Sequence, residues 1–220
     1  MGRNAHFVNL GVVDYREALA LQDSVAAGVA SGTLPDTVLL LEHPPTITLG
    51  RRSEEGEVHL PDGAEVEIVE VNRGGKSTYH APGQLVCYPI FDLTRHGQDV
   101  KRYCRDLEEA LIRTMASFEI DATRIEGLTG VWLDSPPRKI ASIGIHLTKW
   151  ISTHGYALNV NLDPAPFTDW ITACGLDGYQ FTSMARELGL PVSVDDVRPA
   201  AAQALADVFG LTLEELPAAA

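Results

Sequence analysis

Cysteine is scarce in the 220-residue chain, which has only three, and three cannot all pair with one another. Cys87, Cys104 and Cys174 are therefore expected to be reduced thiols, as in cytosolic proteins. The sequence has no Cys-x-x-Cys pair, and its seven histidines show no His-x-x-x-His spacing. We therefore expect no metal site.

Long apolar runs and an excess of basic residues are lacking as well. No run approaches the roughly 18 apolar residues of a membrane-spanning helix, and the start of the sequence has no apolar signal core. These features predict a cytoplasmic protein that does not bind membranes. Lys and Arg number 17 against 30 Asp and Glu, giving a net charge of −13. This balance disfavours nucleic acid as a partner, and at first sight any acidic partner too.

The composition is that of a folded globular protein, with 45% hydrophobic and 21% charged residues. Length and the lack of a linker or an internal repeat predict one domain over residues 1–220. The Ala-rich tail, Ala218–Ala220, is expected to fray.

Periodicity predicts more strands than helices. Helices are expected after the caps Asp14 and Asp99 and from about Asp196 to Phe209, with the first helix ending at Gly32. The expected strands cluster in the middle of the chain: Thr37–Glu42, Thr46–Leu49, Val66–Val71, Leu85–Phe91, Val131–Leu133, Ile140–Leu147 and Gly155–Leu162. Pro89 should place its strand at the margin of the sheet. Without regular βαβ alternation, the pattern favours an α+β fold with a mixed sheet and packed helices.

The densest polar stretch is Asn72–Gln84, which contains Gly-Gly-Lys-Ser-Thr after a predicted strand. It is not a phosphate-binding loop, because Glu70 stands where that loop requires Gly. A tight structural turn is one interpretation. The other is a substrate loop, in which adjacent glycines let a ligand approach the backbone and the surrounding polar side chains orient it.

The cysteines differ in their surroundings. Cys87 lies in an apolar strand and Cys104 on an apolar helical stripe, so both are expected in the core. Cys174 lies at a break beside Gly175, where a thiol can be exposed and reactive. A nucleophilic thiol needs a nearby cation or base, and Lys139 begins a strand that is expected to line an apolar pocket. A solvated lysine at a strand end is the alternative.

Five ordered stretches resemble the lipoyl(octanoyl) transferases: Arg73–Pro89, Gly130–Trp132, Lys139–Gly144, His154–Asn161 and Ala173–Gly175. The resemblance runs from about His6 to Phe209. It implies a fold similar to the catalytic domain of biotin– and lipoate–protein ligases.

The resemblance also implies the roles of individual residues. Cys174 corresponds to the acyl-accepting cysteine, and Lys139 to the lysine that lowers its pKa. The segments implied to bind the acyl substrate are Arg73, Gly74, Gly75, Lys76, Ser77, Thr78, Tyr79 and His80; Ser142, Ile143 and Gly144; and Gly155, Tyr156 and Ala157.

The implied activity is transfer of an octanoyl or lipoyl group from acyl carrier protein to a lysine of a lipoyl domain, through an acyl-cysteine thioester. The implied acceptors are the lipoyl domains of 2-oxoacid dehydrogenase complexes and the glycine cleavage H protein. No cofactor, ATP or metal is expected, because a thioester donor is already activated. The alternatives are an ATP-dependent ligase on the same fold and a non-catalytic acyl-binding module.

Two departures from the family pattern and one conflict follow. Ala81 and Ala173 stand where the family usually has Gly and Pro. Whether His80 or Asp92 assists proton transfer is left open.

The conflict is that the donor carrier protein is acidic, whereas this chain has a net charge of −13. Residues 71–150 carry a net +2, so we expect a basic rim near the pocket, formed by residues that include Arg73, Lys76, Arg138, Lys139 and Lys149.

Overall fold

The computed structural model describes residues 2–172 and 180–217. The predicted nucleophile Cys174, the neighbouring Ala173 and the tail Ala218–Ala220 lie outside the described residues.

Strands are the main elements of the described chain. They are β1 (Arg3–Val12), β2 (Asp36–Glu42), β3 (Thr46–Leu49), β4 (Glu67–Glu70), β5 (Thr78–His80), β6 (Gln84–Ile90), β7 (Val131–Leu133), β8 (Arg138–Thr148), β9 (Ile151–Asn159), β10 (Gln180–Phe181) and β11 (Leu211–Leu216). The helices are α1 (Tyr15–Ser31), α2 (Val100–Ala116), α3 (Pro166–Asp169), α4 (Met184–Leu188) and α5 (Val194–Phe209), with a 3₁₀ turn at Leu93–His96.

The strands form one large and one small sheet, and both are mixed. The large sheet has the order β10-β8-β9-β6-β2-β1-β11, and β7 also pairs with β8. Its pairs β1–β2, β1–β11 and β8–β10 are parallel, whereas β2–β6, β6–β9 and β8–β9 are antiparallel. The small sheet has the order β4-β3-β5. The predicted α+β fold with a mixed sheet is confirmed.

The two faces of the large sheet carry different helices, because side chains alternate along each strand. Val38, Leu40, Leu85 and Cys87 face the core shared with α2 and α5. Leu39, Leu41, Val86 and Tyr88, each one residue further along, belong to the core under α1.

The predicted helix ends are confirmed. The Asp14 carboxylate accepts the backbone N–H groups of Arg16 and Glu17, which begins α1, and Gly32 ends the helix in the left-handed conformation at φ 75°. Asp99 caps α2 in the same way through the N–H of Arg102.

The predicted marginal position of the strand with Pro89 is wrong, because β6 lies between β2 and β9 in the middle of the large sheet. Its pairing with β9 ends at Cys87–Tyr156, just before the proline. The proline ring lies where Gly155 has no side chain, since a Cβ there would come 2.6 Å from Pro89 Cδ. The missing N–H of Pro89 therefore breaks no pair with β9.

Within the described ranges, no helix is long and apolar enough to cross a membrane. Nor do the described residues contain a cluster of three or more His, Cys, Asp or Glu side chains that could hold a metal ion.

Candidate active site

A narrow cavity lies between β5 and the part of the large sheet formed by β6, β8 and β9. Most of the residues implied by the resemblance meet there. The cavity is lined by Tyr15, Arg73, Gly75, Ser77, Thr78, His80, Val86, Tyr88, Lys139, Ser142, Ile143, Gly144, His154, Gly155, Tyr156 and Ala157. The three segments implied to bind the substrate, which are distant in the sequence, therefore line one common cavity.

Three residues of the implied binding set do not line this cavity. Gly74 donates its backbone N–H to the carbonyl of Ile145 at 2.9 Å, which fixes the 73–76 loop to β8. Tyr79 packs edge-to-face against Trp170, with ring centroids 5.5 Å apart. Lys76 is engaged in ion pairs with Glu54 and Glu57.

Arg73 is a buried internal brace, only 7% exposed. One guanidinium nitrogen donates to the carbonyl oxygens of Gly74 and Lys76 at 3.1 and 2.8 Å. The other donates to the carbonyl and the hydroxyl oxygen of Thr48 at 3.0 and 2.6 Å. The planar fork of arginine thus fixes the curvature of the loop that forms one wall of the cavity.

His43 lies behind that wall as a neutral imidazole. Its Nδ1 is 2.8 Å from the carbonyl of Val13, an acceptor, so Nδ1 carries the proton and Nε2 accepts from the Tyr88 hydroxyl at 2.7 Å. Burial lowers the pKa of His43 to about 4, although the bond to Val13 opposes this change. The hydroxyl of Tyr88 is thereby held at the cavity wall.

His80 is likewise neutral. Burial, with the neighbouring His43, holds its pKa well below the ordinary value. The amide nitrogen of Gln84 donates to the carbonyl of Tyr79 and to Oδ1 of Asn159, so the amide oxygen of Gln84 faces His80 Nδ1 at 2.7 Å. Nδ1 therefore carries the proton, and Nε2 is left as a hydrogen-bond acceptor.

His154 is the third neutral imidazole. Its Nε2 donates to Asn72 Oδ1 at 2.8 Å, and burial together with the Arg73 charge lowers its pKa to about 3. Its backbone has φ 56°, and its N–H donates to the side-chain oxygen of Gln22 in α1. This irregularity in β9 turns the ring toward the cavity.

Lys139 is buried in the cavity wall and is 5% exposed, unlike a solvated lysine at a strand end. Its ammonium nitrogen lies 5.3 Å from the ring centroid of Trp132, a cation–π distance. Gly130 makes room for the side chain, because a Cβ at that position would come 2.8 Å from Lys139 Cε. The N–H of Gly130 is in turn held by the buried carboxylate of Glu108 at 3.1 Å.

The described residues on either side of the stretch that includes Cys174 are fixed by backbone pairing. On the N-terminal side, Ile171 forms an antiparallel bridge with Val58, and Thr172 N–H donates to the carbonyl of Glu57 at 2.8 Å. On the C-terminal side, β10 pairs in parallel with the start of β8, with Phe181 opposite Lys139. The chain therefore leaves the undescribed stretch beside Lys139.

Aromatic packing supports these two anchors. Phe167 stacks on Phe181 with ring centroids 4.6 Å apart, and both belong to a core that also contains Ile171 and Tyr79. This core joins β5 to the residues on either side of 173–179.

The other two cysteines behave differently from each other. Cys87 is fully buried on the face of the sheet toward α2 and α5, and burial raises the pKa of its thiol to about 12. This confirms its expected place in the core. Cys104 is only partly buried, and burial raises its pKa as well. Neither thiol lines the cavity.

The predicted basic rim is wrong for four of its five named residues. Arg73 and Lys139 are buried. Lys76 is paired with Glu57, and Arg138 forms an ion pair with Glu187 at 2.9 Å. The fifth, Lys149, is exposed in the β8–β9 turn. Burial removes Arg73 and Lys139 from the surface, and carboxylates pair with Lys76 and Arg138; sequence charge counts show neither effect.

Two points left open by the sequence are resolved by local geometry. Asp92 caps the 3₁₀ turn by accepting the N–H of Thr94 and pairs with Arg95 at 3.2 Å, so it belongs to the turn rather than the cavity. Ala81 does not have a positive φ and is buried in the small core with Ile47. Alanine therefore imposes no backbone strain there.

Sequence analysis missed four residues that line the cavity: Tyr15, Val86, Tyr88 and His154. Tyr15 directly follows a helix cap, and Val86 and Tyr88 alternate along a strand taken as fully apolar. Val86, Tyr88 and His154 lie in stretches that resemble the family, whereas Tyr15 lies in none of them.

The fold and the cavity together define a class of proteins. Residues 14–206 match the family model for the lipoyl protein ligase A/B catalytic domain. The bi-partite lipoate protein ligase of Thermoplasma acidophilum superposes with a TM-score of 0.76 at 17% identity, covering 99% of this chain and 88% of that one. The biotin protein ligase of Aquifex aeolicus gives a TM-score of 0.57 at 11% identity, covering 94% and 70% of the two chains. These likenesses confirm the ligase-like fold.

Sequence identity narrows the class further. The octanoyltransferase of Geobacter metallireducens is 47% identical over 207 residues, which cover 94% of this chain and 92% of that protein. The chain belongs to the octanoyltransferase family and is an acyltransferase.

Proposed function

We propose that this enzyme transfers an octanoyl group from acyl carrier protein to a lysine side chain of a lipoyl domain, through a thioester on Cys174. The observation that carries the proposal is that Lys139, which lines the cavity, pairs with Phe181, seven residues after Cys174 in the sequence. An acyl chain in the cavity would then have its carbonyl at the lysine end. Family membership supplies the octanoyl group, and the solved lipoate ligases on this fold support a lipoyl domain as the acceptor.

The cavity suits a neutral acyl chain. Its histidines, His80 and His154, are uncharged, the terminal nitrogens of Arg73 donate to the loop and to Thr48, and Val86, Ile143 and Ala157 provide apolar wall. The glycines at positions 75, 144 and 155 let a ligand approach the backbone closely. We propose that these segments bind the acyl chain. Gly74, Lys76 and Tyr79 do not line the cavity, and we propose that they hold the binding segments in place.

In the first step, the Lys139 ammonium stabilises the Cys174 thiolate. The thiolate attacks the thioester carbonyl of the donor, the C–S bond to the carrier breaks, and the carrier thiolate takes up a proton. The product is octanoyl-Cys174 and free carrier thiol. Each unit by which the pKa of Cys174 falls corresponds to about 1.4 kcal/mol of differential stabilisation.

In the second step, the acceptor lysine attacks octanoyl-Cys174 as a neutral amine. An amide bond forms, the C–S bond breaks, and the amine proton passes by way of Lys139 to the departing Cys174 thiolate. A backbone N–H stabilises the tetrahedral oxyanion in both steps. Gly74 is excluded from that role because its N–H is bonded to Ile145.

The proposal needs neither ATP nor a metal, because the donor thioester is already activated. We further propose the lipoyl domains of 2-oxoacid dehydrogenase complexes and the glycine cleavage H protein as acceptors.

A competing ATP-dependent ligase would form an acyl-adenylate from free octanoate. Incubation with octanoyl-carrier protein alone, followed by intact mass measurement, should give an octanoyl adduct. Absence of this adduct, with amide formation only from free octanoate and ATP, would favour the ligase.

Replacing Lys139 tests the role of the cation. In Lys139→Met, the Cys174 thiol should return toward its reference pKa of about 8.5, which leaves only a few per cent thiolate at neutral pH. We expect the acylation rate near pH 7 to fall by about tenfold or more and to recover substantially near pH 9. The readout is the pH dependence of adduct formation in wild type and variant. Equal pH profiles would contradict the role of Lys139.

A further inference from the structure

Lys76 lies in the acyl-binding loop, but its ammonium group is directed to two carboxylates outside the cavity lining. Lys76 Nζ is 2.8 Å from Glu57 Oε1 and 3.1 Å from Glu54 Oε1. The two carboxylates differ in exposure, since the Glu57 side chain is 6% exposed and that of Glu54 is 74% exposed. Only the Glu57 pair is largely shielded from water.

Glu57 also belongs to the segment that anchors the residues before Cys174. Its carbonyl oxygen accepts the N–H of Thr172 at 2.8 Å, and His59 N–H donates to the carbonyl of Trp170 at 2.7 Å. Between them, Val58 and Ile171 form a β-bridge. Thr172 is two residues before Cys174 in the sequence.

The charged state of Glu57 is consistent with this contact. Burial alone would raise the pKa of its carboxyl, but the hydrogen bond and charge of Lys76, with the backbone N–H of its own turn, bring the pKa below the ordinary value. The carboxylate is therefore ionised at neutral pH. A buried carboxylate that loses its cation is strongly disfavoured, so the two segments are held together.

We propose that the Glu57–Lys76 ion pair is a positioning element that joins the acyl-binding loop to the segment leading to Cys174. Lys76 thus acts on the reaction without contacting the acyl chain. The pair sets how the acyl-binding loop is placed relative to residues 170–172, and the rate of attack depends steeply on such positioning. This inference rests on the proposed function, because it takes Cys174 as the acyl acceptor.

The test compares Glu57→Gln and Lys76→Met with the matched control Glu54→Gln, which removes the exposed carboxylate from the same ammonium. The measurements are the rate of octanoyl-Cys174 formation at saturating donor, the KM for octanoyl-carrier protein and the Tm of each variant. We expect Glu57→Gln and Lys76→Met each to lower the saturated rate by about tenfold, with KM changed by less than about threefold. Glu54→Gln should stay within about twofold of wild type, because an exposed pair contributes little.

A double variant separates coupling from general damage. If the two groups act as one pair, Glu57→Gln combined with Lys76→Met should be no slower than either single variant. The charge-swapped variant, Glu57→Lys with Lys76→Glu, should recover part of the rate. If Glu57→Gln fails to fold, Lys76→Met and the charge swap decide the question.

The outcomes distinguish this proposal from the function on which it rests. A wild-type saturated rate in Lys76→Met, or a loss confined to KM, overturns the positioning role while octanoyl-Cys174 still forms in wild type. An octanoyl adduct that persists in Cys174→Ser overturns the proposed function itself, whatever the Glu57 and Lys76 variants do.

Discussion

At the scale of single residues, the histidines in and behind the cavity wall are kept uncharged by burial. His43, His80 and His154 are all neutral, and the proton position on each is fixed by an identified acceptor. The buried positive charge of Arg73 among them contributes to lowering the pKa of His80 and His154. The histidines of the wall thus offer neutral hydrogen-bonding groups to a bound ligand.

The lowered histidine pKa values predict loss of stability in mild acid. The pKa is about 4 for His43 and about 3 for His154, against 6.5 for the unperturbed side chain. Below pH 6.5 the unfolded state binds protons that the folded state does not, so stability decreases as the pH falls. Each histidine should lower the free energy of unfolding by about 2 kcal/mol at pH 5 relative to pH 7.5.

Urea unfolding at the two pH values measures this effect. His154→Gln should lower the stability at pH 7.5 but reduce its decrease toward pH 5, because one of the titrating groups is removed. Carboxylates with lowered pKa values titrate mainly below pH 5, so they contribute little to a change in stability between pH 5 and pH 7.5. Stability that stays constant between these pH values would show that the histidines can be protonated in the folded state.

At the scale of elements, β6 and β9 meet at an irregular point beside the cavity. The positive φ of His154 and the missing side chain of Gly155 accommodate Pro89 within a central strand. Beyond this interruption the two chain segments are hydrogen-bonded again, since Ser152 N–H donates to the carbonyl of Phe91 at 2.9 Å. The break in the ladder places one imidazole at the cavity.

Gly155→Ala tests the importance of that point. Its Cβ would come 2.2 Å from the carbonyl oxygen of Cys87, which is backbone and cannot move aside cheaply. We expect a loss of about 1 to 3 kcal/mol in the free energy of unfolding, typical of overpacking. Gly74→Ala is the matched control, because the nearest atom to its Cβ would lie at 3.5 Å. An equal loss of stability in both variants would contradict the conclusion that β6 and β9 approach closely at Gly155.

Elements with a local signal could be predicted from the sequence. Helix α1 carries its cap and its terminal glycine within its own sequence, and β2 and β3 are separated by adjacent prolines. By contrast, β1 and β11 were missed, because they pair with each other in parallel from opposite ends of the chain. The central position of β6 was mispredicted, since it depends on a distant glycine rather than on Pro89 itself.

The parts of the candidate site that lie in continuous stretches of the sequence could be predicted. The loop at Arg73–His80 and the strand of Lys139 do meet, as the resemblance implied. The sequence pattern alone could not show that Arg73 bonds to Thr48 or that Lys76 pairs with Glu54 and Glu57. Those contacts arise only when β3 and the loop after it pack against the 73–76 loop.

At the scale of the whole molecule, the large sheet provides the cavity, and the small sheet with its following loop closes one side of it. Residues 170 and 172 bond to the segment 57–59, and β10 pairs with β8, so the residues on either side of the stretch proposed to bear the nucleophile are fixed to these two parts. This architecture is shared with the solved lipoate and biotin protein ligases. The excess of acidic residues is not offset by a basic rim at the cavity, since four of the five basic residues named there are buried or paired.

The most direct test of the central claim is mass mapping of the octanoyl adduct formed from octanoyl-carrier protein without nucleotide. We predict one adduct on wild type, located on the peptide that contains Cys174, released by hydroxylamine as a thioester and passed to an added lipoyl domain. Cys174→Ser should form no such thioester, whereas Cys104→Ser should acylate as wild type does. An adduct on another residue, or amide formation that proceeds unchanged in Cys174→Ser, would contradict the account.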